Sequence, residues 1–193
     1  MTINRRRFLK TTAGTILAAP ALMNGALASN HGPIKFVSIL DQSGGLDIYG
    51  KPMVDATKMA IDEMNEAGGL LGRKIDLKVY DPQSSIQFYT QFATQATAGD
   101  RADVVHAGIT SASREAIRPT FSRYNTLYFY NVLYEGGVCD INNFCTGSTP
   151  AQTVEKLVPY TMNKWGKKVY IVAADYNYGQ ITAQWVQKYV RDN

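Results

Sequence analysis

From residue 33 onward, two patterns of apolar residues alternate along the chain. Short runs rich in β-branched and aromatic residues are typical of buried strands, and they occupy residues 34–40, 74–81, 102–108, 126–131 and 167–175. Between these runs, helical patterns cover residues 51–67, 84–98, 113–124, 148–165 and 179–193. Because alternating strands and helices favour a parallel sheet covered on both faces, the predicted fold class is α/β.

The order of these elements indicates one complete unit followed by the beginning of another. Residues 29–146 are expected to form an N-terminal α/β lobe, and residues 147–193 contain only the first strand and helices of a second lobe. A stable sheet domain rarely ends one helix after its first new strand. The sequence therefore predicts a truncated second lobe, with a natural reading frame that continues past Asn193.

The positive charge of the chain is concentrated at its N-terminus. The formal net charge is +4, and the segment 1–28 contains Arg5, Arg6, Arg7 and Lys10 but no acidic residue. Residues 29–193 are therefore formally neutral, which gives no argument for binding to nucleic acid or to an anionic membrane. With 45% hydrophobic and 19% charged residues, the composition is that of an ordinary globular protein.

The N-terminal segment has the features of an export signal. A basic start is followed by a mild apolar stretch and by the small-x-small sequence Ala26-Leu27-Ala28, which predicts cleavage after Ala28. Residues 4–10, Asn-Arg-Arg-Arg-Phe-Leu-Lys, resemble the Ser/Thr-Arg-Arg-x-Phe-Leu-Lys pattern of twin-arginine signals. This resemblance implies a twin-arginine signal peptide at residues 1–28, recognition by the twin-arginine export machinery and periplasmic localisation. An ordinary export signal or an anchoring helix is the alternative.

The two cysteines, Cys139 and Cys145, follow the predicted signal in a protein destined for an oxidising compartment. A short-loop disulfide is therefore predicted, with a pair of reduced thiols as the alternative. The only histidines, His31 and His106, are not at ligand spacing from the cysteines, so no metal site is predicted. The loop at residues 41–45 is glycine-rich but lacks G-x-G-x-x-G and G-K-S/T. It is interpreted as a tight turn beside a cleft, and no cofactor is expected.

The loops that follow the strands supply the candidate binding residues, because ligands of open α/β sheets bind at the carboxyl ends of the strands. Thr110 and Ser111 precede a helix, where hydroxyl groups either cap the helix or bind a ligand oxygen. Tyr130 ends a strand and either faces the cleft or packs in the core. Tyr176 and Tyr178 lie in a strand-to-helix loop, where we expect them to enclose a small polar ligand, with an interface role as the alternative.

Several of these segments together resemble the type I periplasmic solute-binding proteins of ABC transporters, over about residues 33–193. The segments are residues 37–81 ("VSILDQSGG…KVYD"), residues 108–119 ("GITSASREAIRP"), residues 130–137 ("YNVLYEGG") and residues 173–179 ("AADYNYG"). Tyr-x-x-x-Tyr-Glu-Gly at residues 130–136, together with Asp-Tyr-x-Tyr at residues 175–178, looks most like the amide- and urea-binding branch of the Leu/Ile/Val-binding-like family.

The resemblance implies a two-lobed fold that closes on its ligand without catalysis and then docks on a membrane permease. Ser111 would bind the polar end of the solute, Tyr130 and the backbone around Val132 would line the same wall, and Tyr176 would cover the solute with Tyr178 near it. An amide-sensing regulator of the same fold is one alternative. An exported α/β enzyme is another, although the sequence contains no evident nucleophile–histidine pair, metal cluster or dinucleotide loop.

Overall fold

The computed structural model describes residues 32–193. The predicted signal peptide and its cleavage site lie outside the described residues. The strands are β1 (Ile34–Ile39), β2 (Ile75–Tyr80), β3 (Val104–Ala107), β4 (Leu127–Tyr130) and β5 (Asn143–Cys145). The helices are α1 (Asp47–Glu66), α2 (Ile86–Thr94), α3 (Ser111–Arg123), α4 (Val154–Trp165) and α5 (Asn177–Asp192), and one turn of π-helix (Gln95–Gly99) extends α2.

The five strands form one parallel sheet in the order β2-β1-β3-β4-β5. This arrangement confirms the predicted α/β class. The chain first moves outward from β1 to β2 and then returns across β1 to β3, so the winding direction changes between β1 and β3. Such a change opens a crevice at the carboxyl ends of the strands, where ligands of this fold class bind.

The core lies on both faces of the sheet. One cluster is formed by alternating strand residues such as Val37, Ile39 and Val105 and by Ile117 and Phe121 of α3. A second cluster of buried residues joins Leu40, Val54 and Ile109 on the other side. Both faces of the central strands are therefore covered, which explains their nearly continuous apolar sequences.

Three helices, α1, α3 and α5, begin two to four residues earlier than their apolar spacing predicts. α1 begins at Asp47 instead of residue 51, and Gly50 is buried so close to the backbone of Asp41 that a Cβ atom would collide with it. The absence of a side chain at Gly50 thus allows α1 to approach the loop that follows β1. α3 begins at Ser111 instead of residue 113 and contains Pro119 without being split.

The structure corrects the sequence-based prediction in two other segments. β5 was expected to be part of a loop, since Asn-Phe-Cys is too short to give a strand pattern, but it pairs with β4. Conversely, residues 167–175 form no strand, and Tyr170 and Val172 are 91% and 88% exposed. A strand needs a neighbour for its backbone hydrogen bonds, and no strand between residues 32 and 193 pairs with this segment.

α4 and α5 pack against each other rather than against the sheet. Val154, Val158 and Met162 of α4 form a small buried cluster with Trp185 and other residues of α5. α4 begins at Val154, six residues after residue 148, where the predicted helical pattern begins. Within residues 32–193, no helix combines the length and apolar character that crossing a membrane would need.

Candidate ligand-binding cavity

A cavity of about 280 Å³ lies at the carboxyl ends of the strands, between the loops that follow β1, β3 and β4 and the start of α5. All six residues predicted to bind a ligand lie on its wall. The lining consists of Leu46, Tyr49, Ile109, Thr110, Ser111, Tyr130, Val132, Leu133, Tyr176 and Tyr178. Six of these residues carry a hydroxyl group and none carries a formal charge, so the wall combines aromatic surface with hydrogen-bonding groups.

A larger groove of about 480 Å³ runs between Gly136, Gly137 and the exposed face of α5. It is more open and is lined by the long side chains of Gln184, Lys188 and Arg191. The smaller cavity is the candidate site because it lies in the crevice at the change of winding direction and is bordered by a helix N-terminus.

Thr110 caps helix α3 instead of facing the cavity with a free hydroxyl. Its Oγ1 accepts a hydrogen bond from the backbone N–H of Ser113 at 3.1 Å, and the Ser113 hydroxyl accepts from the N–H of Thr110 at 3.1 Å. This capping box supports the capping interpretation for Thr110. Among residues 32–193, the N–H groups of Ser111 and Ala112 have no acceptor, so the first turn retains donors for a ligand oxygen.

Ser111 and Glu135 form a buried hydrogen bond beneath the cavity. The Ser111 hydroxyl lies 2.8 Å from Oε2 of Glu135, and both residues are 1% exposed. Glu135 does not line the cavity itself and is buried in an ion pair with Arg114, which lies directly beside it.

Arg114 is the most important residue near the site that the sequence analysis missed. Its guanidinium group is 1% exposed and binds both carboxylate oxygens of Glu135, with Nη2–Oε1 at 2.5 Å and Nη1–Oε2 at 3.2 Å. The same group lies over the rings of Tyr130 and Tyr134, 4.9 and 5.3 Å from their centroids. Burial by itself would raise the pKa of Glu135, but the hydrogen bonds and charge of Arg114 hold it below its ordinary value.

Tyr130 belongs to both the core and the cavity wall. It is 1% exposed, and its hydroxyl donates to the carbonyl oxygen of Ile109 at 3.1 Å, with the carbonyl of Leu133 at 3.3 Å. Burial raises the pKa of Tyr130 to about 12, so the hydroxyl is protonated at neutral pH. Its proton is directed toward these carbonyl groups, and an acceptor lone pair remains for the cavity.

Tyr176 and Tyr178 form the side of the cavity that belongs to α5. Both are half-buried, and their ring centroids are 6.3 Å apart. The turn that carries them is tight, because a Cβ atom at Gly179 would collide with the carbonyl oxygen of Ala174. The loop after β4 is tied to the same helix, since the indole N–H of Trp185 donates to the backbone oxygen of Glu135 at 3.0 Å.

Cys139 and Cys145 are free thiols in the structure, which does not contain the predicted disulfide. Cys139 is exposed at the surface, whereas Cys145 is half-buried in β5, with its sulfur 3.5 Å from Oδ1 of Asn143. The oxidised pair remains a prediction. Within the described part of the chain, no group of three or more His, Cys, Asp or Glu side chains is arranged to hold a metal ion.

The family model for the periplasmic binding protein domain matches residues 34–193. The chain therefore belongs to this family, which confirms the resemblance to type I periplasmic solute-binding proteins of the Leu/Ile/Val-binding group. The family consists of solute-binding proteins and not of enzymes.

Solved structures share the fold at low sequence identity. One is the branched-chain amino acid transporter substrate-binding protein LivJ from Streptococcus pneumoniae in complex with isoleucine. It is 20% identical to this chain with a TM-score of 0.71, and the match covers 81% of this chain and 46% of the LivJ chain. A solute-binding protein of an ABC transporter from Rhodopseudomonas palustris BisB5, in complex with 3,4-dihydroxybenzoic acid, is 18% identical with a TM-score of 0.72 and coverages of 83% and 44%.

A third structure is the leucine-, isoleucine-, valine-, threonine- and alanine-binding protein from Brucella ovis in a closed conformation. It is 23% identical to this chain and has a TM-score of 0.71. The match covers 84% of this chain and 45% of that protein. The chain thus spans less than half the length of these similar structures. At these identities the likeness shows the fold alone and does not identify the solute.

Proposed function

We propose that this chain forms part of the extracytoplasmic solute-binding component of an ABC importer. The solute is small and polar, a short-chain amide, urea or an amino-acid-like molecule, and it binds in a cleft between two lobes. The observation that carries this proposal is the cavity of about 280 Å³ with six hydroxyl-bearing residues and no charged residue on its wall. Its size falls near the lower end of the range for small-molecule sites.

The arrangement of the wall supports recognition from two sides. Ser111, Tyr130 and the backbone near Val132 come from residues 29–146, the proposed first lobe, and Tyr176 and Tyr178 come from residues 147–193, the proposed start of the second lobe. A solute that touches both sides stabilises the closed arrangement. The closed form then docks on the membrane permease. Residues 1–28 direct export through the twin-arginine machinery, with cleavage after Ala28.

A thermal-shift screen tests the proposal. The protein is produced from Ser29 through the end of its natural reading frame and is screened with urea, short amides and branched-chain amino acids. A solute present at 100 times its dissociation constant adds about 2.7 kcal/mol of stability, so a clear rise in melting temperature is expected with one class. A well-folded sample that responds to no member of the panel would contradict the proposed solute classes.

Replacing Tyr176 with alanine is expected to weaken solute binding by about 1–3 kcal/mol. The ring forms part of the cavity wall, and its removal opens the solute to water without disturbing the core. Titration calorimetry with the solute found in the screen measures the effect. Tyr124→Ala is the matched control, because Tyr124 is 48% exposed, lies directly after α3 in the proposed first lobe and does not line the cavity. Equal affinities for the two variants would remove Tyr176 from the site.

A further inference from the structure

The hydroxyl of Ser111 has a fixed direction as a hydrogen-bond donor. It lies on the cavity wall, yet its oxygen is 2.8 Å from Oε2 of Glu135. An ionised carboxylate has acceptor atoms only, so the single proton of the serine must point toward Glu135. The lone pairs of the Ser111 oxygen are then the only groups that this hydroxyl can offer to a solute.

Arg114 keeps the Glu135 side chain in this role. Two guanidinium nitrogens bind the two carboxylate oxygens, and both side chains are 1% exposed. Such a two-point pair fixes the plane of the carboxylate as well as its charge. Because Oε2 receives both Arg114 and Ser111, the carboxylate cannot rotate away from the serine without breaking the ion pair.

The neighbouring hydroxyl on the wall has the same polarity. Tyr130 donates its proton to the carbonyl oxygen of Ile109 at 3.1 Å, which leaves only acceptor capacity toward the cavity. The hydroxyl groups of Ser111 and Tyr130 therefore form an acceptor surface, beside the backbone N–H groups of Ser111 and Ala112 that have no acceptor among the described residues. An N–H group of a solute is complementary to the two hydroxyl oxygens, whereas a solute oxygen placed against these hydroxyls meets oxygen lone pairs and finds its donors only at the backbone N–H groups.

We propose that Glu135 is a specificity-determining residue that, through Ser111, selects solutes presenting an N–H donor, such as a primary amide or an ammonium group. This inference rests on the proposed function, since it specifies the chemistry of the same cavity. Glu135 acts as a positioning residue, because Ser111 lies between it and the solute. Arg114 holds it in place.

Two matched pairs of probes test the selection in the wild-type protein. Butyramide is compared with 2-pentanone, in which a methyl group replaces the NH₂ group, and isoleucine is compared with 3-methylpentanoate, which lacks the ammonium group. Titration calorimetry or ligand-observed NMR measures each affinity. We expect the N–H member of at least one pair to bind at least tenfold more tightly. Equal affinities in both pairs, or preference for the member without N–H groups, would overturn the proposal.

Glu135→Gln tests the role of the carboxylate directly. With its amide oxygen kept on Nη2 of Arg114, the glutamine places its NH₂ group where Oε2 was. That NH₂ group gives up the bond from Nη1 of Arg114 and donates to Ser111, which turns the serine proton toward the cavity. The preference for N–H solutes should therefore fall about tenfold or reverse. Glu115→Gln is the matched control, because Glu115 also binds Arg114, at 2.9 Å, but does not contact Ser111. A preference that survives unchanged in Glu135→Gln would overturn the proposal.

Ser111→Ala provides a second variant in case Glu135→Gln does not fold. This substitution removes the acceptor oxygen but leaves the ion pair, so the preference for N–H solutes should likewise decrease about tenfold. A well-folded Ser111→Ala protein with the wild-type preference would also overturn the proposal.

A ligand-free measurement separates this inference from the proposed function. A serine hydroxyl proton held against a buried carboxylate exchanges slowly, so NMR of labelled protein should detect it in the wild type and not in Ser111→Ala. Absence of this signal from the wild type would overturn the inference even if solutes bind. If the signal is present but no probe and no solute of the panel binds, the proposed solute class and the selectivity assigned to it would be overturned instead.

Discussion

Arg114→Ala is expected to destabilise the protein by about 3–5 kcal/mol, the usual cost of removing one partner of a buried ion pair. The substitution leaves the carboxylate of Glu135, which is 1% exposed, without its cation. It also removes the contacts of the guanidinium group with the rings of Tyr130 and Tyr134. Denaturant-induced unfolding monitored by circular dichroism measures the change.

Two further variants distinguish the buried charge from the loss of side-chain volume. Arg118→Ala removes an arginine from the same helix, but this side chain is 28% exposed and its partner Glu115 is 30% exposed, and only Asp140 is nearly buried, at 6%. Its cost should be smaller than that of Arg114→Ala, about 1–2 kcal/mol, because the pair with Glu115 is exposed to water. The double variant Arg114→Met, Glu135→Leu removes both charges and should recover much of the lost stability. Equal effects of Arg114→Ala and Arg118→Ala would contradict the buried ion pair.

His106 is expected to make the protein lose stability between about pH 6.5 and pH 4. Burial lowers its pKa from the ordinary value of 6.5 to about 4. Its Nδ1 is 3.3 Å from the Thr57 hydroxyl, and its Nε2 has no partner among the described residues. The unfolded chain binds this proton more readily than the folded protein does. The contribution of neutral His106 to the free energy of unfolding is therefore complete above pH 6.5 and decreases as the pH approaches 4. The full difference is about 3 kcal/mol.

Unfolding of the wild type and of His106→Gln at a series of pH values between 4 and 7.5 measures this contribution. Carboxylates also contribute to the pH dependence, but they are common to both proteins. The difference between the two curves therefore isolates His106. We expect the variant to lose about 3 kcal/mol less than the wild type over this range. Parallel curves would show that His106 is not buried in its neutral form.

Local patterns were sufficient to predict four strands of the sheet, because β1, β3 and β4 are rich in β-branched or aromatic residues and β2 alternates apolar residues with exposed polar ones. Val104–Ala107, for example, is short but almost entirely apolar and lies at the centre of the sheet. β5 has no such pattern, since it is a three-residue edge strand whose pairing with β4 is set by the preceding loop. Residues 167–175 have a strand-like composition, but composition supplies no partner strand.

The location of the candidate site was also predictable, since topology brings the loops after β1, β3 and β4 to one edge. The sequence could not reveal which hydroxyl groups are already engaged. Thr110 is used by the cap of α3, whereas Ser111 is held by Glu135, 24 residues away. Arg114 escaped notice because an arginine within a helix is ordinarily solvated. Its burial depends on how the loop after β4 folds back over α3.

NMR chemical-shift mapping with the solute from the thermal-shift screen tests the central claim most directly. The protein extends from Ser29 through its natural reading frame, and its backbone and tyrosine signals are followed during the titration. The account predicts that the largest changes occur at Ser111, Tyr130, Val132, Tyr176 and Tyr178, around the smaller cavity. Changes confined to the groove beside Gly136, Gly137 and Lys188, with no response at Ser111 or Tyr176, would contradict it.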